Sequence, residues 1–506
     1  RRETSHEMQD DYSFFLTRIR ELADLKHAES LMGWDQETYM PPNGINMRAR
    51  AQGSLSGLIH ERLTETKFVR TVERLKDLEL KGDEAVNISR VARQLKRSVG
   101  IPRQLVIEMS ETTSLGHEAW ISARNESDFA VFRPWLEKII DQKRQFADLI
   151  GYEGSIYNAL VDEYEPGATI ESIMPLFEQL RLELVPLVDA ISEKGIRPAA
   201  GILDRVFDVS KQELLGRQII SDMGFDMKSG RLDVAIHPFC SGTSPDDVRL
   251  TTRYDKRWLP GSLFGSMHEA GHGLYEQGLP SDVKGDPVGQ SISLGIHESQ
   301  SRMWENMVGR SLAFWNYYFP QLQTIFPGVA DDMDLDRFYR AINQVVPSFI
   351  RVEADEVTYN LHIIVRLELE VALFEQQLVV KDLPEAWNEK MDKYLGIVPK
   401  DDKYGVLQDV HWSLGHFGYF PTYTLGNLYS AQFFKQLCED ITDVFDQISQ
   451  GQLIDVKKWL NENIHSYGSR LTADELVQQV TGRPLGVEDF TNYLKKKFNS
   501  LYNLSN

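Results

Sequence analysis

Along most of the chain, apolar positions recur every three to four residues, the spacing of one face of an α-helix. In DYSFFLTRIRELADLKHAESLMGW the recurring positions are Phe14, Ile19, Leu22 and Leu25, and after Trp34 the pattern breaks at the loop Met40-Pro-Pro-Asn-Gly44. Two prolines fix φ and remove backbone donors, and Asn-Gly favours a turn, so a helix should not run through this loop. The same periodicity predicts helix from Met47 to Leu63 and over 67–100, 103–125, 129–151, 171–194 and 210–222. The tail, 428–506, also reads as helix, with stops near Gly451 and Gly482.

One region follows a different period. In RLDVAIHPF, Leu232, Val234 and Ile236 alternate with Asp233 and Ala235, and in VRLTTRY, Val248, Leu250 and Thr252 alternate with Arg249 and Thr251. Alternation by two is the signature of a strand. The segment between them, CSGTSPDD, is rich in turn formers, so the pattern predicts a small antiparallel hairpin over 231–253. No internal repeat or low-complexity linker interrupts the chain. We therefore expect a mainly α fold in a single domain, 1–506.

Composition narrows the class. The chain has 506 residues, 42% hydrophobic and 26% charged, ample for a sizeable core. Its formal net charge is −20, from 55 basic and 75 acidic residues. That disfavours nucleic acid or an anionic membrane as a partner, since both require a basic surface. No run approaches the roughly 18 apolar residues of a membrane span, and the first residues lack the apolar centre of a secretory signal. Two cysteines, Cys240 and Cys438, are too few for a disulfide framework. These features predict a soluble cytoplasmic protein with reduced thiols.

The candidate chemistry lies just after the predicted hairpin, in Ser266-Met-His-Glu-Ala-Gly-His-Gly-Leu274. On a helix, positions i and i+4 share a face, so His268 and His272 can bind one metal while Glu269 flanks it as a base. Gly271 and Gly273 each cost a helix about 1 kcal/mol, which implies that something packs close to them. A catalytic metal of this type usually takes a third protein ligand. Glu298 in SLGIHESQSRMWENMVG, 26 residues beyond His272, is the candidate. Its alternative role is an ion pair with Arg302 one turn on, and His297 competes for the ligand position. Seven of the twelve histidines fall between His237 and His416, a clustering that suits a site.

Six short motifs occur in order: HPF at His237–Phe239, DVRLT at Asp247–Thr251, HEAGH at His268–His272, HESQ at His297–Gln300, IRVEAD at Ile350–Asp355 and GVLQDVHW at Gly405–Trp412. In these the chain resembles the thermostable carboxypeptidase 1 family, the Taq carboxypeptidase type, from end to end. The resemblance implies a two-lobed helical metallopeptidase with a deep central groove. N-terminal helices, 1–100, would partly cover the groove, and the catalytic core would span 230–430. It implies a homodimer that releases single C-terminal residues from peptides with broad preference and acts poorly on C-terminal proline. It implies His268, His272 and Glu298 as ligands of one divalent metal, zinc with cobalt or manganese as alternatives, and Glu269 as general base and later acid.

The remaining motifs admit physical readings. A carboxypeptidase must recognise a free carboxylate, which a planar guanidinium does bidentately. Arg351 is the candidate, with Arg249 and Arg253 as rivals. His411, Tyr423 or Tyr419 would donate to an oxyanion. Asp409 would orient His411 or a ligand histidine. His237 and Asp247 read as structural or substrate-side groups, beside an edge to which an extended peptide could add as a strand. The rival readings are an oligopeptidase or dipeptidyl carboxypeptidase on a similar scaffold, and a peptide-binding protein with a vestigial site.

Overall fold

The computed structural model describes residues 2–196 and 201–505. Its first helix runs from Arg2 to Thr38 and ends, as the two prolines demand, at a short 3-10 turn over Pro42–Gly44. Helices Ile45–Thr64, Thr66–Lys76 and Gly82–Val99 follow. The run 67–100 is thus two helices rather than one. The break falls at Asp77–Lys81, before Gly82, whose φ of +60° is a left-handed value that glycine reaches without strain.

These four helices build their own apolar core. Phe15, Ile19 and Leu22 of the first meet Ile59, Phe68, Val72, Leu75, Ile88 and Val91, and the rings of Phe15 and Phe68 stack with centroids 6.0 Å apart. The second core is much larger and is formed by residues from Ile101 to Tyr502. Between the cores the contacts are largely polar. Arg20 pairs with Asp286 at 3.0 Å, Arg470 with Asp83 at 2.8 Å, and the Val288 amide donates to Asn87 Oδ1 at 2.9 Å. Trp34 lies against two guanidinium groups, Arg249 at 4.4 Å and Arg231 at 5.0 Å from its ring centre. Among the described residues, no helix is long and apolar enough to cross a membrane.

The period-two region forms three strands, β1 (Gly230–Val234), β2 (Cys240–Ser244) and β3 (Asp247–Thr252), in the order β1-β3-β2. An antiparallel hairpin is present, but β2 and β3 make it, with Cys240 opposite Leu250. The segment read as a connector is therefore itself a strand, turning through Pro245-Asp246 with a bulge between Gly242 and Ser244. β1 pairs parallel to β3, Leu232 opposite Leu250. In β1 both Leu232 and Asp233, on opposite faces, are buried, so alternation reports neither a single buried face nor the direction of the partner. Val234 and Ile236 are exposed rather than continuing a buried edge.

Behind the sheet lies the helix Leu259–Gln277, which carries HEAGH. The helix Leu294–Arg302 carries HESQ and runs on into a single π turn, Met303–Val308. Thr358–Phe374 is buried almost all round, and Pro421–Asp440 packs on the HESQ helix. Cys240 and Cys438 are both free.

Glu165 is buried at the start of the HESQ helix and accepts the Gly295 amide at 2.7 Å. Burial pushes its carboxyl up to about 7, against the pull of Ser293 and the Gly295 amide. A carboxyl raised in the folded state stabilises the fold below its unfolded pKa, and that contribution is lost as pH rises through the folded value. From pH 5 to pH 8, the stability of the wild type against thermal unfolding should therefore fall relative to that of Glu165→Gln, by up to about 3 kcal/mol. Parallel melting curves for the two proteins over this range would overturn the assignment.

Candidate metal centre and substrate groups

Two glycines on the HEAGH helix allow the close packing that builds the centre. A Cβ on Gly271 would lie 2.7 Å from both the Gln300 carbonyl oxygen and Ser301 Cα, so the HESQ helix crosses here in direct backbone contact. A Cβ on Gly273 would strike Phe225 and Leu250 at 2.8 and 2.9 Å, on the sheet side. Gly426 does the same for Glu298, whose Cβ would be 2.6 Å from a side chain placed there. The HESQ helix is capped by Ser293, whose hydroxyl accepts the Ile296 amide at 3.1 Å.

The crossing brings His268, His272 and Glu298 together. Their nearest donor atoms all lie within 4.8 Å of one another. Glu298 Oε2 is 3.3 Å from His272 Nε2 and 3.7 Å from His268 Nε2. Its other oxygen accepts from Arg302 Nε at 2.8 Å, so the ion pair and the ligand position expected as alternatives coexist on one carboxylate.

The outer nitrogens are held as well. His268 Nδ1 donates to Glu305 Oε1 at 2.8 Å. His297 Nε2 lies 2.6 Å from Glu276 Oε1, and its Nδ1 lies 2.6 Å from His272 Nδ1. A carboxylate only accepts, so His297 donates to Glu276 and its Nδ1 receives the proton of His272 Nδ1. That chain leaves the Nε2 lone pair of His272 facing Glu298. His297 thus acts as a partner of the histidine rather than as a competitor for the metal position. Two imidazole nitrogens and a carboxylate oxygen aimed at one point, with their outer atoms satisfied, are a donor set that fits a divalent cation.

Buried charge dominates the electrostatics. Burial would raise Glu298, but His268, Arg302 and His272 outweigh it and hold the carboxyl well below its usual range. Glu305 is likewise held at about 2, chiefly by Arg302 and His268 against its burial. For His268 the carboxylates overcome burial and raise it to about 9, whereas burial prevails at His272 and lowers it to about 4. Glu269, the next residue, is 7% exposed, and burial lifts it to about 7 despite His268 beside it.

A second charged group stands close by. Arg351 directs both Nε and Nη2 to Asp409 Oδ1, at 3.0 and 2.9 Å, and Nη1 to the Tyr359 hydroxyl at 3.1 Å. Arg366 takes Asp409 Oδ2 at 2.7 Å. One carboxylate thus faces two buried guanidiniums. His411 Nε2 is 3.3 Å from the Tyr423 hydroxyl, and Arg351 lies 5.2 Å from the Tyr423 ring centre. Burial drives His411 down to about 3, so it is neutral at physiological pH. Tyr419 packs edge-on to His411 with centroids 5.4 Å apart. Tyr359 links the groups, because Arg302 lies 4.5 Å from its ring centre while pairing with Glu298.

Other expected residues lie elsewhere. Arg249 is paired with Asp247 at 2.8 Å and stacked on Trp34, an anchoring role. Arg253 and His237 are exposed and make no ion pair among the described residues. Asp409 orients two arginines rather than a ligand histidine.

Sequence reasoning missed Glu305, Glu276 and Arg366. Glu305 follows Glu298 by seven residues, two helical turns, which was a usable signal. Arg366 sits in TYNLHIIVRLELEVALF, where a cation inside an otherwise apolar helix requires a buried partner.

A helical body with a two-histidine, one-glutamate cluster on crossed helices defines a metallopeptidase. The chain belongs to the carboxypeptidase Taq (M32) metallopeptidase family, whose model matches residues 14–498. It is 42% identical to thermostable carboxypeptidase 1 of Thermus thermophilus over 504 residues, 97% of this chain and 99% of the relative. It is 38% identical to carboxypeptidase 1 of Bacillus subtilis, over 96% of this chain and 98% of the relative. The crystal structure of M32 carboxypeptidase from Deinococcus radiodurans R1 superposes with a TM-score of 0.95 at 36% identity, covering 98% of this chain and all (100%) of that one. The protein is a metallocarboxypeptidase, acts on peptides and uses a divalent metal.

Two substitutions test how the centre is built. Glu305→Gln removes the acceptor charge behind His268 and should weaken metal affinity about 10- to 100-fold, read by competition with a chromophoric chelator. Unchanged affinity would remove Glu305 from the site. Gly271→Ala forces the helices apart, and overpacking of this kind should cost about 1–3 kcal/mol in denaturant unfolding as well as weakening metal retention.

Proposed function

We propose that His268, His272 and Glu298 hold one zinc ion and that Glu269 is the general base in release of single residues from peptide C-termini. When bound, the cation would acidify water and polarise the scissile carbonyl. Glu269 accepts the proton of the attacking water. Its position suits this role, because it directly follows the ligand candidate His268 and is 7% exposed, so its carboxylate stands beside the cluster away from bulk water. It then protonates the leaving amine. His411 and Tyr423 donate to the oxyanion.

The observation that carries the choice of a carboxypeptidase is the Arg351–Asp409–Arg366 group. Two guanidiniums on one carboxylate leave one positive charge uncompensated in a buried setting, next to His411 and Tyr423. A substrate's terminal carboxylate would supply the missing negative charge. The family resemblance extends the reading to broad preference at the released residue, poor release of proline, a homodimer and N-terminal helices that cover the groove, and the composition extends it to a cytoplasmic enzyme.

The test is a defined peptide, free and C-terminally amidated, followed by mass spectrometry with the metal-loaded enzyme. The expected product is a ladder losing one residue at a time from the free peptide only, absent in Glu269→Gln. Arg351→Lys keeps the charge but loses the fork, and should lower kcat/KM about 100-fold, mainly through KM. Internal cuts or released dipeptides, with the amide cleaved equally, would replace this reading with an oligopeptidase.

A further inference from the structure

A second concave site lies away from the metal cluster, between the N-terminal helical unit and the main body. It is a cavity of about 650 Å³, within the range of small-ligand sites. One wall is the helix Gly82–Val99, which presents Arg90, Arg93, Lys96 and Arg97 along its length. The spacing of three, six and seven residues from Arg90 places them on one side of the helix. Four cations on one helix side are notable in a chain of net charge −20. The cavity is also lined by Thr169 and Thr472, the N-caps of two helices whose first turns carry Glu171, Asp474 and Glu475.

Local acids neutralise this wall only in part, although Glu153 and Glu475 also line the cavity and the charge of Glu475 acts on Arg90. Asp162 Oδ2 is shared by Arg93 at 3.0 Å and Arg97 at 3.2 Å, while its Oδ1 accepts the Gly167 amide. Arg470, which also lines the cavity, is taken by Asp83. Glu475 is engaged by the Thr472 amide in its own capping box. Arg90 has no carboxylate within ion-pairing distance among the described residues, and its one hydrogen bond goes to the Ser469 carbonyl at 3.0 Å. Burial and the neighbouring Arg93 lower its guanidinium below the usual value. Arg97 Nη1 is buried without a hydrogen-bond partner, its nearest acid being Glu163 at 3.9 Å. Lys96 is exposed and makes no ion pair.

We propose that this cavity is a binding site for a small multivalent oxyanion of the phosphate class, held by Arg90, Arg97 and Lys96 of the helix Gly82–Val99. Guanidiniums bind such anions through strong, charge-assisted hydrogen bonds. The cavity size favours a free small anion over a macromolecular partner.

The test uses the full-length, metal-loaded enzyme, with inorganic phosphate and pyrophosphate titrated by calorimetry at constant ionic strength, and sodium chloride as the blank. One site per chain is expected, with a rise in melting temperature that chloride does not reproduce. Arg90→Gln and Lys96→Gln should each weaken binding about tenfold, the loss of one charge-assisted contact. Neither group touches the metal cluster, so both variants should retain peptidase activity. Lys96 is exposed, so Lys96→Gln keeps the test valid even if Arg90→Gln is poorly folded. Absence of binding heat in the millimolar range, or unchanged affinity in folded Lys96→Gln and Arg90→Gln, would overturn the proposal.

Discussion

The backbone contact between Gly271 and the turn at Gln300–Ser301 is the constraint on which the rest of the centre depends. Helices normally cross with axes 8–10 Å apart, and side chains set that distance. Here one helix presents a glycine, so the two backbones touch. Only that closeness lets Glu298, from the second helix, reach the nitrogens of His268 and His272 on the first. Gly426 applies the same logic from behind, pressing directly on Glu298. The centre is held by absent side chains as much as by present ones.

Bringing these groups together concentrates charge where water is scarce, and the structure answers with compensation rather than neutrality. Glu298 meets Arg302, Glu305 meets Arg302 and Arg310, and His268 meets both carboxylates. Removing one member of such a network leaves a buried charge unpaired, which is costlier than the pair itself is favourable. The π turn at Met303–Val308 falls within this network and aims Glu305 back at His268. Single π turns inside helices often mark functional positions. The Arg351–Asp409–Arg366 group differs, because there a single buried carboxylate is shared by two guanidiniums.

The helical periodicity, the turn at the two prolines and the HEAGH and HESQ segments were all legible along the chain. So was the inference that Gly271 and Gly273 mark close approach, because a glycine inside a helix is otherwise a cost. The sheet was only half legible. Alternation shows which face of a strand is buried, and β3 follows it as far as Leu250, but it says nothing of strand direction, so the parallel partnership of β1 was missed. CSGTSPDD looked like turn material because its small polar residues pack at a half-exposed edge, where strand propensity is weak. The competition between Glu298 and His297 could not be resolved from spacing, since both precede Arg302 on the same short helix.

What the sequence determined by itself was local: helix faces, breaks, and the i, i+4 pairing of His268 with His272, all set by backbone geometry within a few residues. Its ordered motifs also carried the family. What only the tertiary structure decided was every relation between distant segments. The proton chain from His272 through His297 to Glu276, the sharing of Asp409 by Arg351 and Arg366, and the capture of Arg249 by Trp34 each join residues from different elements. Arg249 and Arg351 are chemically identical along the chain, and only burial and partners separate an anchor from a candidate substrate group. Charge interactions depend on distance and dielectric, both properties of the folded body, and neither is written in the order of the residues.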